Sequence, residues 1–230
     1  MAGTRVEAVL VGRARPFGPN GEPSAVRKSP VSGRVAVGPE GVEGDEQAYH
    51  GHGGPEKAVL HYPAEHYDTW RLRFDSFSLE PGGLGENLSS HGMIEENVCL
   101  GDRYRLGEGV LLEVSQPRQP CWKLGHSAGI REISRVIQDE GATGWYYRVR
   151  VPGEIEAGME LELVARPHPE WPLSRLLEGF YWRPQNEGFL KEALTVESVG
   201  REWRSAMERR LEEGKVEPWE GRLYGPFRKS

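Results

Sequence analysis

Residues 44–57 form the densest group of chemically capable side chains in this sequence. Asp45, Gln47, His50 and His52 surround three glycines, Gly51, Gly53 and Gly54. Glycines at that density let the backbone take positive φ and approach a ligand closely. Successive N–H groups in such a turn can form an anion-binding nest. Four histidines fall between residues 50 and 66: His50, His52, His61 and His66. Their spacing is a poor match to zinc. No HExxH or cysteine–histidine pair accompanies them, so hydrogen-bonded, partly buried imidazoles are the expectation.

The second cluster runs from Ser115 to Leu124 and presents Cys121 between Arg118 and Lys123. Pro117 and Pro120 stiffen this loop. Nearby cations favour the thiolate, the form that attacks or binds a soft metal. Cys99, inside Val98-Cys99-Leu100, reads instead as a small buried hydrophobe. Gly82-Gly83-Leu84-Gly85 leading to Glu86-Asn87, and Ser24 through Lys28, read alone as a turn and a solvated surface.

The elements that must hold these loops are mostly strands. Met159, Leu161 and Leu163 alternate with Glu160 and Glu162, and Tyr147, Val149 and Val151 alternate with Arg148 and Arg150. A period of two marks half-buried strands. Further strands are expected around 104–106, 110–114, 9–11, 31–37 and 58–62. Short strands at this spacing imply a barrel or sandwich rather than repeated βαβ units. One helix is expected to open at Pro63 and run towards Phe74. Another carries Ile130, Ile133 and Ile137 and stops at Gly141. Beyond Arg166 the texture changes to a proline-rich linker and then charged helices around 173–180, 186–196 and 198 onwards. Trp203, Met207 and Leu211 form one apolar stripe there. The chain therefore divides into a barrel at 1–165 and a helical appendage at 166–230, whose simplest role is packing against the barrel.

Composition narrows the function. With 230 residues, one main domain plus an appendage is expected. The net charge of −6 argues against a general nucleic-acid binder. No apolar run is long enough for a membrane span, and no signal peptide is evident. Two cysteines exclude a disulfide framework and a four-cysteine iron–sulfur cluster, and free thiols point to the cytoplasm.

Four segments together resemble the MOSC domain, most closely the bacterial subgroup that protects cells from 6-N-hydroxylaminopurine. They are PSAVRKSPV at 23–31, GVEGDEQAYHGHGGPEKAVLHYPAEHYDTW at 41–70, GGLGENLS at 82–89 and VSQPRQPCWKL at 114–124. Residues 202–211 also look like that subgroup's helical tail. One departure is HGHGG at 50–54, where relatives more often read a single HGG; His52 aligns best with it.

The resemblance implies a mainly β fold, a β-barrel MOSC domain with a few helices, plus a small C-terminal three-helix appendage. It implies the molybdenum cofactor, a molybdopterin, with Cys121 at the metal. Ser24, Lys28, Gly53, Gly54, Glu86, Asn87, Ser115 and Arg118 are the expected cofactor contacts. The implied reaction is two-electron reduction of an N-hydroxylated base, with His52, Glu65, His66 and Glu86 as candidate proton donors. A separate flavin or iron–sulfur reductase would deliver electrons to a monomer or homodimer. The main alternative is a non-redox module that binds the cofactor or carries sulfur as a Cys121 persulfide. A zinc hydrolase and a metal-free interaction protein rank below both.

Overall fold

The computed structural model describes residues 3–48, 51 and 53–225. Its early strands are β1 (Thr4–Arg5), β2 (Ala8–Val11), β3 (Arg15–Pro16), β4 (Pro23–Ser24), β5 (Ser29–Pro30), β6 (Val35–Gly38) and β7 (Gly41–Val42). Then come β8 (Val59–Pro63), β9 (Leu88–Ser90), β10 (Arg103–Leu106), β11 (Val110–Pro117), β12 (Trp145–Val151), β13 (Gly153–Ile155) and β14 (Glu160–Ala165). Nine of these form one curled sheet, a half-barrel, in the order β1-β14-β10-β11-β12-β8-β9-β2-β5. A three-stranded sheet, β13-β6-β7, and the β3-β4 pair complete the β structure among the described residues.

The main sheet is antiparallel except at β8–β9, where His61, Tyr62 and Pro63 pair in parallel with Leu88, Ser89 and Ser90. A parallel neighbour needs a crossover. That connection contains α1 (Ala64–Arg73), which Pro63 precedes as N-cap rather than opening as its first residue. The expected strand over 31–37 forms only from Val35 on, as β6, while β5 ends earlier, at Pro30. Gly33, at φ +75°, turns the chain between them.

Two further helices follow β11. α2 (Trp122–Ala128) begins directly after Cys121, within a stretch read from the sequence as loop. α3 (Ile133–Glu140) buries Ile133 and Ile137 and ends at Gly141 in the left-handed conformation. Ile130 precedes α3 rather than joining it.

Beyond β14 the chain is helical. α4 (Leu173–Leu177) runs into a π-helical turn at Glu178–Trp182. α5 (Glu187–Ala193) is capped by Asn186, whose side chain accepts from the Phe189 N–H. α6 (Arg201–Glu213) and a further short helix, α7 (Glu220–Tyr224), complete it. Trp203 and Met207 on α6 are fully buried, and the Trp203 indole donates to the Pro117 carbonyl at 3.1 Å. One apolar core joins Val9, Leu88 and Val114 of the sheet to Leu176, Phe180 and Trp203 of the helices. A smaller core under α1, α2 and α3 includes Tyr67, Trp70, Leu124 and Ile137. No helix among the described residues is long and apolar enough to cross a membrane.

This architecture gathers sheet ends. Lys28 stands just before β5, Asn87 just before β9 and Arg118 just after β11. Three residues far apart in sequence thereby reach one cleft.

Candidate functional site

The cleft holds about 650 Å³, and its lining includes the buried side chains of Lys28, Asp45, Asn87 and Arg118. Lys28 Nζ donates to Asp45 Oδ2 at 2.5 Å, with both side chains almost wholly buried. Asp45 Oδ1 accepts from the Gly12 N–H at 2.8 Å. The Asn87 amide donates to Asp45 Oδ2 at 2.8 Å and to the Leu10 carbonyl at 3.2 Å, while its oxygen accepts from the Leu60 N–H. The carboxylate and the amide are therefore fixed by the fold. Burial pushes the Lys28 ammonium below its ordinary range, against the opposing attraction of Asp45.

Arg118 differs from these neighbours. It is 6% exposed, and its backbone N–H is held by the Gly144 carbonyl at 2.9 Å. Its Nη1 is buried with no hydrogen-bond partner among the described residues. A buried, unpartnered guanidinium nitrogen carries a desolvation penalty that a bound anion would relieve. The planar fork suits phosphate or carboxylate.

Cys121, Trp122, Tyr146 and Lys57 also line the cleft. Cys121 is a free, half-buried thiol in extended conformation at the head of α2. Its carbonyl accepts from the Ser134 hydroxyl at 2.8 Å and from the Leu124 N–H at 3.0 Å. Lys123 also lines the cleft, but its ammonium donates to the Pro23 carbonyl at 2.9 Å, so it serves to tie β4 to α2. Burial pushes the Tyr146 phenol up to about 12, so it stays a neutral donor at physiological pH. Lys57 Nζ donates to the Gly51 carbonyl at 2.7 Å and meets Glu202 of α6 at 2.5 Å. The helical appendage thus contributes a carboxylate to the cleft wall.

The sequence-predicted residues divide. Cys121, Ser24, Lys28, Asn87 and Arg118 line this one cleft. Ser24 Oγ accepts from the Val26 N–H, which shapes the loop. Gly53 and Gly54 stand outside the lining: Gly53 packs against the Gln47 amide, and Gly54 caps the short helical turn Pro55–Lys57. Ser115 is buried within reach of the Glu56 and Tyr146 carbonyls, and so faces structure rather than the cleft.

Glu86 is fully buried behind the lining. It accepts from Tyr67 Oη at 2.7 Å and the Gly82 N–H at 2.5 Å, and burial raises its carboxyl above the ordinary value. Two expected proton donors are also placed elsewhere. Glu65 accepts from the Gly92 N–H, and His66 pairs with buried Glu95 at 2.8 Å. Both join α1 to the segment after β9, which is a structural task. His50 and His52 lie outside the described residues. His61 is core: it bonds Ser90 at 3.0 Å and stacks on Trp145. Among the described residues no three His, Cys, Asp or Glu side chains gather as a metal site.

Sequence reasoning missed Tyr146, Lys57, Glu202 and Arg222 as cleft residues. Tyr146 sits within an alternating strand pattern that gave no sign of a site. Glu202 stood out only as part of the helical tail.

A second cleft, of about 570 Å³, lies around Arg103, Glu113 and Arg148. Its charges are spent on one another: Glu113 accepts from Arg103, Arg148 and Arg150, and Glu56 binds Arg148 through both oxygens. The first cleft has the unsatisfied cation and is the candidate site. A half-buried thiol, a guanidinium with one nitrogen unpartnered among the described residues and a buried ammonium fit a phosphate-bearing anionic cofactor that carries a soft metal.

Comparison with known proteins identifies two matching family models. A family model described as the MOSC domain matches residues 48–162. A second, described as a YiiM-like 3-alpha helix domain, matches residues 171–214. Protein YiiM of Escherichia coli strain K12 is 37% identical over 220 residues, covering 94% of this chain and 97% of its own. The crystal structure of YiiM from Escherichia coli superposes with a TM-score of 0.80 at 32% identity, covering 96% of this chain and 99% of that one. A protein named Reductase from Gibberella moniliformis is 42% identical over 167 residues, which are 71% of this chain but 30% of that protein.

Proposed function

The chain belongs to the MOSC-domain family, in the YiiM-like subgroup of 6-N-hydroxylaminopurine resistance, and from that premise we propose that it is a molybdenum-cofactor-dependent reductase of N-hydroxylated bases. The observation that carries this reading is one cleft lined by both Cys121 and Arg118, whose buried Nη1 has no hydrogen-bond partner among the described residues. A relative named Reductase, which shares with this chain 30% of its own length, is in keeping with that reading.

In this reading Cys121 Sγ holds the metal, and a soft thiolate suits it. Arg118 and Lys28 would bind the cofactor's anionic groups, with Asp45, itself held by the Asn87 amide, keeping the Lys28 ammonium in place. When bound, the cofactor supplies the two electrons that break the N–O bond. The balance is one hydroxylamine, two protons and two electrons giving one amine and one water. The protons must come from groups that reach the cleft. Glu65 and His66 are not among its lining residues, whereas Lys57, Tyr146 and Glu202 are. Trp122 and Tyr146 add aromatic rings to the lining, with Lys57 Nζ 5.7 Å from the centre of the Tyr146 ring. A separate flavin or iron–sulfur reductase supplies the electrons, since two cysteines cannot ligate a four-cysteine cluster.

The test is elemental analysis of protein made in a cofactor-sufficient host, with Cys121→Ser beside it. Molybdenum in the parent and its loss in the variant is the expected result; equal metal in both, or none in the parent, overturns the proposal. The persulfide-carrier alternative shares the need for Cys121. It parts from reduction at turnover, because only a reductase converts hydroxylaminopurine when given electrons.

A further inference from the structure

α7 stands beyond residues 171–214, the extent of the matched three-helix domain. It nevertheless touches both chain neighbours of Cys121. On one side, Arg222 Nη1 donates to the carbonyl of Pro120, and Nη2 donates to Gln138 Oε1 of α3 at 2.6 Å. On the other, Gly225 ends α7 at φ +54°, and a Cβ there would stand 2.4 Å from Cγ of the Trp122 ring. Only a glycine lets the backbone lie this close to the indole. Leu223, 1% exposed, anchors the helix between these contacts.

The two contacts act on the same short piece of backbone. Pro120 has its φ fixed by the ring. A guanidinium gripping its carbonyl fixes the plane of the peptide that enters Cys121. The Cys121 carbonyl is already held by Ser134 and by the Leu124 N–H. Both peptide planes flanking the thiol are then set, and rotation about its own side-chain bond is the freedom that remains. Gln138 is 1% exposed, so the far end of the Arg222 fork rests on a rigid support. Placement matters at this level, because an error of about 1 Å in a reacting group can cost about a hundredfold in rate.

We propose that Arg222 is a positioning residue for Cys121: by holding the Pro120 carbonyl against α3, it aims the thiol into the cleft. This rests on Cys121 being the functional thiol of that cleft. The helical appendage then does more than pack, since its last helix sets the geometry of a barrel residue.

The experiment needs neither cofactor nor substrate. Alkylation of Cys121 and Cys99 by iodoacetamide is followed by peptide-resolved mass spectrometry in the full chain, for wild type, R222A, R222Q and R222K. Rates are compared on the high-pH plateau, where the thiol is fully ionised and loss of a nearby charge acts only through thiolate nucleophilicity, about threefold for a tenfold change in thiol acidity. The expected result is a Cys121 rate at least about fivefold faster in R222A and R222Q, with R222K returning to within about twofold of wild type because it keeps a donor for the Pro120 carbonyl. Cys99, 3% exposed in the core, stays slow throughout. An unchanged Cys121 rate in R222A overturns the proposal. So does a parallel rise at Cys99, which would mark general loosening, and so does failure of R222K to restore the rate. Molybdenum content of the wild type, measured separately, tests the cofactor reading: a metal-free wild type with the alkylation pattern intact would refute that reading and leave the positioning role standing.

Discussion

Lys28 and Asp45 form a 2.5 Å ion pair in the lining of the cleft, with side chains only 8% and 6% exposed. Removing one partner strands the other charge out of water. Asp45→Asn is expected to destabilise the fold by about 3–5 kcal/mol. Adding Lys28→Met in that background should recover most of the loss. Denaturant unfolding of the two single variants and the double variant measures the coupling; a simple sum of the single effects would contradict it.

Arg118 predicts the opposite pattern. Its Nη1 has no hydrogen-bond partner among the described residues, so the guanidinium is held at a desolvation cost. Arg118→Met is expected to leave the cofactor-free protein as stable as wild type, or more stable by about 1 kcal/mol. The same variant should lose molybdenum from protein made in a cofactor-sufficient host. Thermal midpoints and metal content, measured on the same preparations, check both halves.

His61 gives the molecule a weakness towards acid. Burial lowers its pKa from 6.5 to about 3, so the folded state holds it neutral. Its folded value is depressed. The stability it contributes is therefore full above pH 6.5 and falls as pH drops towards about 3, at up to about 1.4 kcal/mol per pH unit. His61→Gln cannot take up that proton and should remove this part of the slope. Urea unfolding across the range, wild type against variant, reads the difference.

Glu86 works in the other direction. Burial raises its carboxyl above 4.5, and its Oε2 has no partner among the described residues. A raised folded value makes the contribution full below pH 4.5 and lost as pH rises through the folded pKa. Glu86→Gln, which keeps an acceptor for Tyr67 and Gly82, should flatten that decline and make the protein relatively more stable at neutral pH. Stability measured from acid to neutral pH decides it, and an unchanged slope would contradict the assignment.

Local sequence determined the pieces whose signals are local. Alternation of apolar and charged residues located β12 and β14, because a strand exposes every second side chain. The spacing of Trp203 and Met207 located the buried face of α6. The proline-flanked loop and its motif marked Arg118 and Cys121, and the segment resemblance marked Lys28 and Asn87. What only tertiary structure decided was which polar groups meet. The same sequence letters gave Glu65 and His66 structural partners in Gly92 and Glu95, and placed Glu202 beside Lys57 and Arg222 beside Pro120. Those last two pairs are separated by more than a hundred residues. Their meeting depends on how the helical appendage seats on the shared apolar core, and no short-range pattern carries that information. A carboxylate in a helix has the same local signature whether it faces solvent, a glycine amide or a cleft; the packing of distant elements assigns its role.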